Sequence, residues 1–281
     1  MILNKHRSSV LIFVRGERVK MIKLIASDLD GTLLYGRDNS VSEEMFDLIR
    51  EMKRRGMIFA AASGRPYSSL KKLFAPVWEE IAFICENGAV VYYKDQLLAE
   101  QVIPRKEVLK LIETVDEDPC TEIIVSSATT TYVRPKKRKY LEILEANGNH
   151  VVEVKEWEEV SEACVKIAWY EEAGVEDRAD YWKEKIEPPA RVVTSGAQWL
   201  DILYPYSHKG VGLKVLQEYF GMKKEDMAAF GDNDNDMEML EAVGYPVAML
   251  NAKEGVLKAC PYHTARVEDT VRQMLDGKFL Q

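Results

Sequence analysis

Two aspartates stand two positions apart, Asp28 and Asp30, at the end of a short apolar run in KLIASDLDGTLL (Lys23–Leu34), with Gly31 and Thr32 directly after them. Carboxylates at this spacing offer hard oxygen donors to a cation such as Mg²⁺. They also suit a pairing in which one acid attacks and the other shuttles a proton, and equally an Asp-rich turn that caps a helix. Three later stretches bear on the choice. Ser63 lies in Ser-Gly-Arg-Pro (63–66), Lys209 in His-Lys-Gly (208–210), and Asp232, Asp234 and Asp236 in Gly-Asp-Asn-Asp-Asn-Asp (231–236). Taken singly, Ser63, Asp232 and Asp236 read as helix caps and Lys209 as a surface lysine. Taken together they make an acidic metal pocket with one Ser and one Lys, suited to a phosphate whose charge is met by a divalent ion and an ammonium.

These residues can meet only if the elements beneath them bring them together. The apolar run Leu24–Ala26, ended by a glycine loop, reads as a buried strand. Ser40–Arg55 has a serine cap, early glutamates and apolar residues at a helical period, with Gly56 as its stop. Met57–Ala62 is a second buried strand ending at Ser63. Tyr67–Phe74 follows as a helix, and Ile81–Cys85 as a third strand ending in Glu86-Asn87-Gly88. A βαβαβ succession predicts a doubly wound, Rossmann-like parallel sheet, and in such sheets ligands bind beyond the carboxyl ends of the strands.

From residue 104 the pattern changes. A hairpin at Val90–Tyr93 and Leu97–Val102 leads into helices at Pro104–Val115 and Lys136–Ala146. Strand-like runs follow at Glu122–Ser126, Thr130–Val133, Val165–Tyr170 and Arg191–Thr194. The α/β style resumes near 205 with a helix at Val211–Phe220, a strand at Met227–Phe230 and a terminal helix at Val267–Leu275. The expected organisation is an α/β core in two parts, 21–103 and 204–281, split by an inserted α+β cap at 104–203. The basic run Arg134–Lys139 reads as a solvated helix start or as a contact for an anionic substrate. Trp182, Trp199 and Tyr204 read as core packing before substrate contact. Residues 1–20 are basic and fit neither part. They read as a disordered N-terminal extension ahead of a start at Met21, without the long apolar region of a signal peptide.

Composition closes off several classes. The 281 residues carry a net charge of −8, are 47% hydrophobic and 30% charged, and so read as globular with no nucleic-acid or anionic-membrane surface. No apolar run approaches the roughly 18–20 residues of a membrane span. Four dispersed cysteines without a C-x-x-C pair point to reduced thiols and a cytoplasmic location. The D-N-D-N-D loop fails as an EF-hand, because Met237 and Val243 stand where Gly and Glu are required. P-loop, G-x-G-x-x-G, H-E-x-x-H and G-x-S-x-G patterns are absent from the places where they would act.

In order, D-L-D-G-T (28–32), S-G-R-P (63–66), H-K-G (208–210) and G-D-N-D-N-D (231–236) resemble the four signature motifs of the haloacid dehalogenase superfamily. With Glu86-Asn87-Gly88-Ala89 and the large insertion, the chain from Met21 onward resembles the Cof-type sugar-phosphatase branch. The resemblance implies a Mg²⁺-dependent phosphatase. Asp28 would be the nucleophile that forms an aspartyl-phosphate. Asp30 would be the general acid, a role that needs it protonated near neutral pH; neighbouring carboxylates push it that way and Mg²⁺ pushes the other. Mg²⁺ would be held by the Asp28 carboxylate, the Asp30 carbonyl and the Asp232 carboxylate, with Asp236 behind them orienting Lys209 or a metal water. Ser63 and Gly64 would meet the phosphate, Lys209 would balance its charge, and Asn235 would support them. Thr32 would close the first loop, and Arg65 would touch substrate or brace its loop. Two positions depart from the pattern: Asp234, where many relatives carry Gly or Glu, and Leu250, where relatives usually have Gly, which leaves the role of Asn251 open.

The expected reaction is hydrolysis of a small phosphorylated metabolite (a sugar phosphate, nucleotide or phosphorylated cofactor) by a monomer or homodimer. A phosphomutase or phosphotransferase on the same site is the alternative, and a non-catalytic metabolite-binding regulator is another.

Overall fold

Strands without a polar face must be covered on both sides, and that requirement sets the architecture. The computed structural model describes residues 13–14, 17–18, 22–34 and 40–279. Of the N-terminal extension only β1 (Phe13–Val14) and β2 (Glu17–Arg18) are described, paired antiparallel. The rest of the expected disordered extension, 1–20, lies outside the described residues.

The wholly buried strand β3 (Leu24–Ser27) sits mid-sheet, between β4 (Ile58–Ala62) and β14 (Met227–Gly231). Outward on one side lie β5 (Ala82–Cys85) and then an antiparallel hairpin, β6 (Val90–Tyr93) and β7 (Gln96–Glu100). On the other side lie β15 (Tyr245–Met249) and β16 (Tyr262–Thr264), both parallel to β14 and β3. The sheet therefore runs 16-15-14-3-4-5-6-7, six parallel strands with an antiparallel edge. The edge strand β16 has no apolar run to announce it.

Helices α1 (Glu43–Arg54), α2 (Tyr67–Leu73), α6 (Lys209–Phe220), α7 (Met237–Glu241), α8 (Glu254–Ala259) and α9 (Val267–Leu275) belong to this core. The first forms as its sequence dictates. Ser42 caps it by accepting from Met45 N at 3.1 Å, Glu43 and Glu44 face the positive end of its dipole, and Met45, Phe46, Leu48, Ile49 and Met52 make the buried stripe.

A second sheet of six strands is built from the residues between: β8 (Thr121–Ser126), β9 (Thr131–Val133), β10 (Val151–Glu153), β11 (Lys166–Glu171), β12 (Arg191–Gly196) and β13 (Trp199–Leu203), in the order 10-9-8-11-13-12. Side chains alternate across it. Ile123, Val125, Ile167 and Trp169 pack with α3 (Arg105–Asp116) and α5 (Ala179–Lys185), while Ile124, Ala168 and Tyr170 pack with α4 (Arg138–Ala146). Trp182 is fully buried and donates to Glu171 at 2.8 Å, Trp199 packs on the α4 side and Tyr204 on the other, so all three aromatics serve packing.

Candidate active site

Three adjacent parallel strands deliver the chemistry. Ser27 is in register with Ala61 of β4 and Phe230 of β14, so Asp28, Ser63 and Asp232 follow at one edge. The Asp28 amide donates to the Phe230 carbonyl at 3.0 Å. The loop beyond it is pinned by buried Leu29, Leu33 and Leu34. Gly31 turns with φ of 96°, and a Cβ there would lie 2.6 Å from Asp232 Oδ2. Only glycine allows the loop so close to that carboxylate. Thr32 Oγ1 donates to Asp232 Oδ1 at 2.7 Å, which fixes the aspartate from across the sheet.

Lys209, the first residue of α6, reaches into this pocket fully buried. Its Nζ donates to Asp28 Oδ1 at 2.5 Å and to Asp236 Oδ1 at 2.6 Å. The other oxygen of Asp236 accepts from the amides of Asp232 and Asn233 at 2.9 and 3.0 Å. Asp236 is thus fully engaged in holding Lys209 and its own loop. Burial pushes Asp28 well above the ordinary carboxyl value, and the charge of Asp236 adds to this, while Lys209 opposes both. Burial pulls Lys209 down, but Asp236 and Asp28 outweigh it and hold the ammonium above the usual lysine value. Burial also raises Asp232, against the hydrogen bond from Thr32.

The carboxylates fit a divalent cation. Oxygens of Asp28, Asp232 and Asp236 all lie within 4.8 Å of one another. Three carboxylates meet one ammonium, an excess of acidic oxygens that a divalent cation would balance. With Asp236 engaged by its own hydrogen bonds, Asp28 and Asp232 are the carboxylates that would hold an ion. An all-oxygen donor set suits a hard cation.

Other expectations require correction or sharpening. Asp30 is not among the clustered carboxylates. It is exposed, and Arg65 grips it through Nε at 3.0 Å and Nη2 at 2.5 Å. Its charged neighbour is the Arg65 guanidinium. Ser63 is buried, with its Oγ accepting from the Arg65 amide at 3.2 Å. Gly64 offers its carbonyl, and half-buried Asn235 donates to Asn87 Oδ1 at 3.2 Å. Asn251 donates to the Gly31 carbonyl at 2.9 Å and so braces the first loop. The basic run is spent inside its own sheet and helices. Arg134 and Lys136 pair with Asp116, Lys137 and Lys139 with Glu172, and Arg138 with Glu153.

Sequence reasoning missed Lys166 and Asp201. Both are buried, on the face of the second sheet that meets the first, against Gly64, Glu86 and Asn87. The available signal was a charge set within an apolar strand, Lys166 in VKIAWY and Asp201 in WLDIL.

A family model described as haloacid dehalogenase-like hydrolase matches residues 25–274. The 5-amino-6-(5-phospho-D-ribitylamino)uracil phosphatase YbjI of Escherichia coli (strain K12) is 28% identical over 243 residues, covering 86% of this chain and 90% of that protein. Phosphoglycolate phosphatase 1 of Saccharolobus solfataricus is 25% identical, covering 92% and 98%. The crystal structure of SMU.1108c from Streptococcus mutans UA159 superposes with a TM-score of 0.81 at 26% identity, over 91% of this chain and 99% of that one. Among the described residues no helix is long and apolar enough to cross a membrane.

Proposed function

The chain belongs to the haloacid dehalogenase-like hydrolases and is a phosphatase, and from that premise we propose that it hydrolyses a small phosphomonoester with Mg²⁺ through an aspartyl-phosphate on Asp28. The observation that carries this reading is the buried Asp28–Lys209–Asp236 chain beside Asp232. A turn or helix cap has no use for a buried ammonium shared by two carboxylates.

In this mechanism an Asp28 carboxylate oxygen attacks phosphorus and the bond from phosphorus to the leaving oxygen breaks. Lys209, itself held by Asp236, orients Asp28 and favours its ionised form against burial and the charge of Asp236. Ser63 and the Gly64 amide face the phosphate, and Asn235 supports them through Asn87. Asp28 and Asp232 would hold Mg²⁺, which would supply charge neutralisation for the phosphoryl group. Asp30, released from Arg65 and protonated when substrate binds, would give that proton to the leaving oxygen and then take one from the water that cleaves the acyl phosphate. Lys166 and Asp201 of the six-stranded sheet lie against the loops that carry Gly64 and Asn87, and that sheet would exclude bulk water there.

The two relatives named for their substrates act on a ribityl phosphate attached to a uracil and on phosphoglycolate. That spread supports a small organic phosphate as the substrate class here. Four free cysteines, three of them buried, support a reducing, cytoplasmic setting. Phosphate release from a panel of phosphorylated metabolites, with Mg²⁺ and with EDTA, tests the proposal. Turnover with Mg²⁺ that EDTA abolishes is expected. Equal turnover in EDTA, or isomerised substrate without free phosphate, would contradict it.

A further inference from the structure

Lys166 opens β11, and its ammonium is buried beneath the second sheet, away from solvent. Burying an ammonium is costly unless it is matched by charges and hydrogen bonds. Here Nζ donates to the Gly64 carbonyl at 2.6 Å and pairs with Glu86 Oε2 at 2.6 Å and, more loosely, with Asp201 Oδ2 at 3.6 Å. Burial alone would lower Lys166, yet Asp201 and Glu86 hold it above the usual lysine value, so it stays charged. None of these groups belongs to the carboxylate cluster around Asp28.

What this ammonium touches is the backbone that carries Ser63. The amides of Glu86 and Asn87 donate to the carbonyls of Arg65 and Ser63 at 3.1 and 3.0 Å. Glu86 and Asn87 both have positive φ, 50° and 55°, a conformation that non-glycine residues hold only when their surroundings impose it. Those surroundings come from both sheets. Asp201 accepts from Asn87 Nδ2 at 2.7 Å and from Ser195 Oγ at 3.0 Å, while Asn235 donates to Asn87 from the loop of Asp236.

We propose that Lys166 is a positioning residue: seated between the two sheets, it clamps the Gly64 carbonyl to Glu86 and so sets the loop 63–65 in its phosphate-receiving geometry. The proposal rests on the phosphatase reading for its kinetic consequence only. The clamp makes loop geometry depend on how the second sheet sits on the core, so contact with substrate on that sheet is felt at Ser63. Lys166 itself is occupied by protein partners.

The variants Lys166→Met and Lys166→Met/Glu86→Gln separate this from a plain buried ion pair. The single variant strands Glu86 and Asp201 without their cation, whereas the double variant also neutralises Glu86 and leaves only Asp201, which keeps its bonds from Asn87 and Ser195. Each is assayed for p-nitrophenyl phosphate turnover and thermal melting, with hydrogen exchange followed at 63–66 and 86–88. In the double variant melting returns toward wild type, while kcat stays at least about tenfold low with KM within about threefold, the split expected when only transition-state positioning is lost. Exchange at 86–88 is faster in both variants. Recovery of wild-type kcat in the double variant, or unchanged exchange at 86–88, overturns the proposal. Should Asp28→Asn retain full turnover, it is the phosphatase mechanism that fails, and the exchange result still decides the clamp.

Discussion

At the scale of single residues, the decisive fact is that Asp28 and Asp30, two positions apart in sequence, face different partners. Asp28 is buried against Lys209, and Asp30 is exposed against Arg65. Asp28→Asn is expected to lower kcat by at least about 10³-fold, because the amide cannot attack phosphorus. Ser63→Ala should cost about 10²-fold, the scale of one lost donor to a developing charge. Steady-state kinetics with p-nitrophenyl phosphate checks both. Lys209→Met would leave Asp28 and Asp236 facing each other unneutralised, and a loss of about 3–5 kcal/mol in a urea melt is expected. A melt unchanged by that substitution would show that the ammonium does not hold the cluster together.

At the scale of elements, strand ends and the loops that leave them place every group. The sequence is legible here because apolar runs such as LIAS and IFAAA can only be buried, and each stops at a polar residue of the site, Asp28 or Ser63. The acids of the last loop were legible by the same rule, and Lys209 by its place at the start of α6 and by the family motif it resembles. The pairing of Asp30 with Arg65 was not, since it depends on side-chain directions around Gly31 that spacing does not encode. Lys166 and Asp201 were hidden because their partners lie 102 and 114 positions away, on the other sheet. The short edge strands β10 and β16 lacked any periodic pattern. Gly88, with φ of 93°, would bring a Cβ within 2.1 Å of the His208 carbonyl, at the start of the helix that carries Lys209. Gly88→Ala is therefore expected to destabilise by about 1–3 kcal/mol or more and to reduce kcat. Wild-type melting and turnover in that variant would show that the contact is not needed.

At the scale of the whole molecule, acidity and metal binding are coupled. Burial raises Asp28 and Asp232 above their ordinary values. Carboxyls raised on folding bind protons more tightly in the native state. The stability they lend is full below the unfolded value of about 3.9 and is lost as pH rises through the folded value. A divalent ion held by the same oxygens competes with those protons and restores stability where they have left. Mg²⁺ at about 100 times its dissociation constant should add about 2.7 kcal/mol, a few degrees of melting temperature for a chain of this size. The increment should shrink between about pH 7.5 and pH 5. A thermal shift assay reads this directly, and an increment equal at both pH values would argue against the Asp28–Asp232 site.

The central claim is that the phosphoryl group passes through Asp28, and trapping it there is the most direct test. In Asp30→Asn, p-nitrophenyl phosphate still phosphorylates the enzyme, because its leaving group departs as an anion and needs no acid. Hydrolysis of the intermediate, which needs a base, is slowed. Acid quench and peptide mass spectrometry should then find the phosphoryl group on the Asp28 peptide, converted by borohydride to homoserine at position 28. No modification at residue 28 during turnover, together with wild-type turnover by Asp28→Asn, would contradict the account.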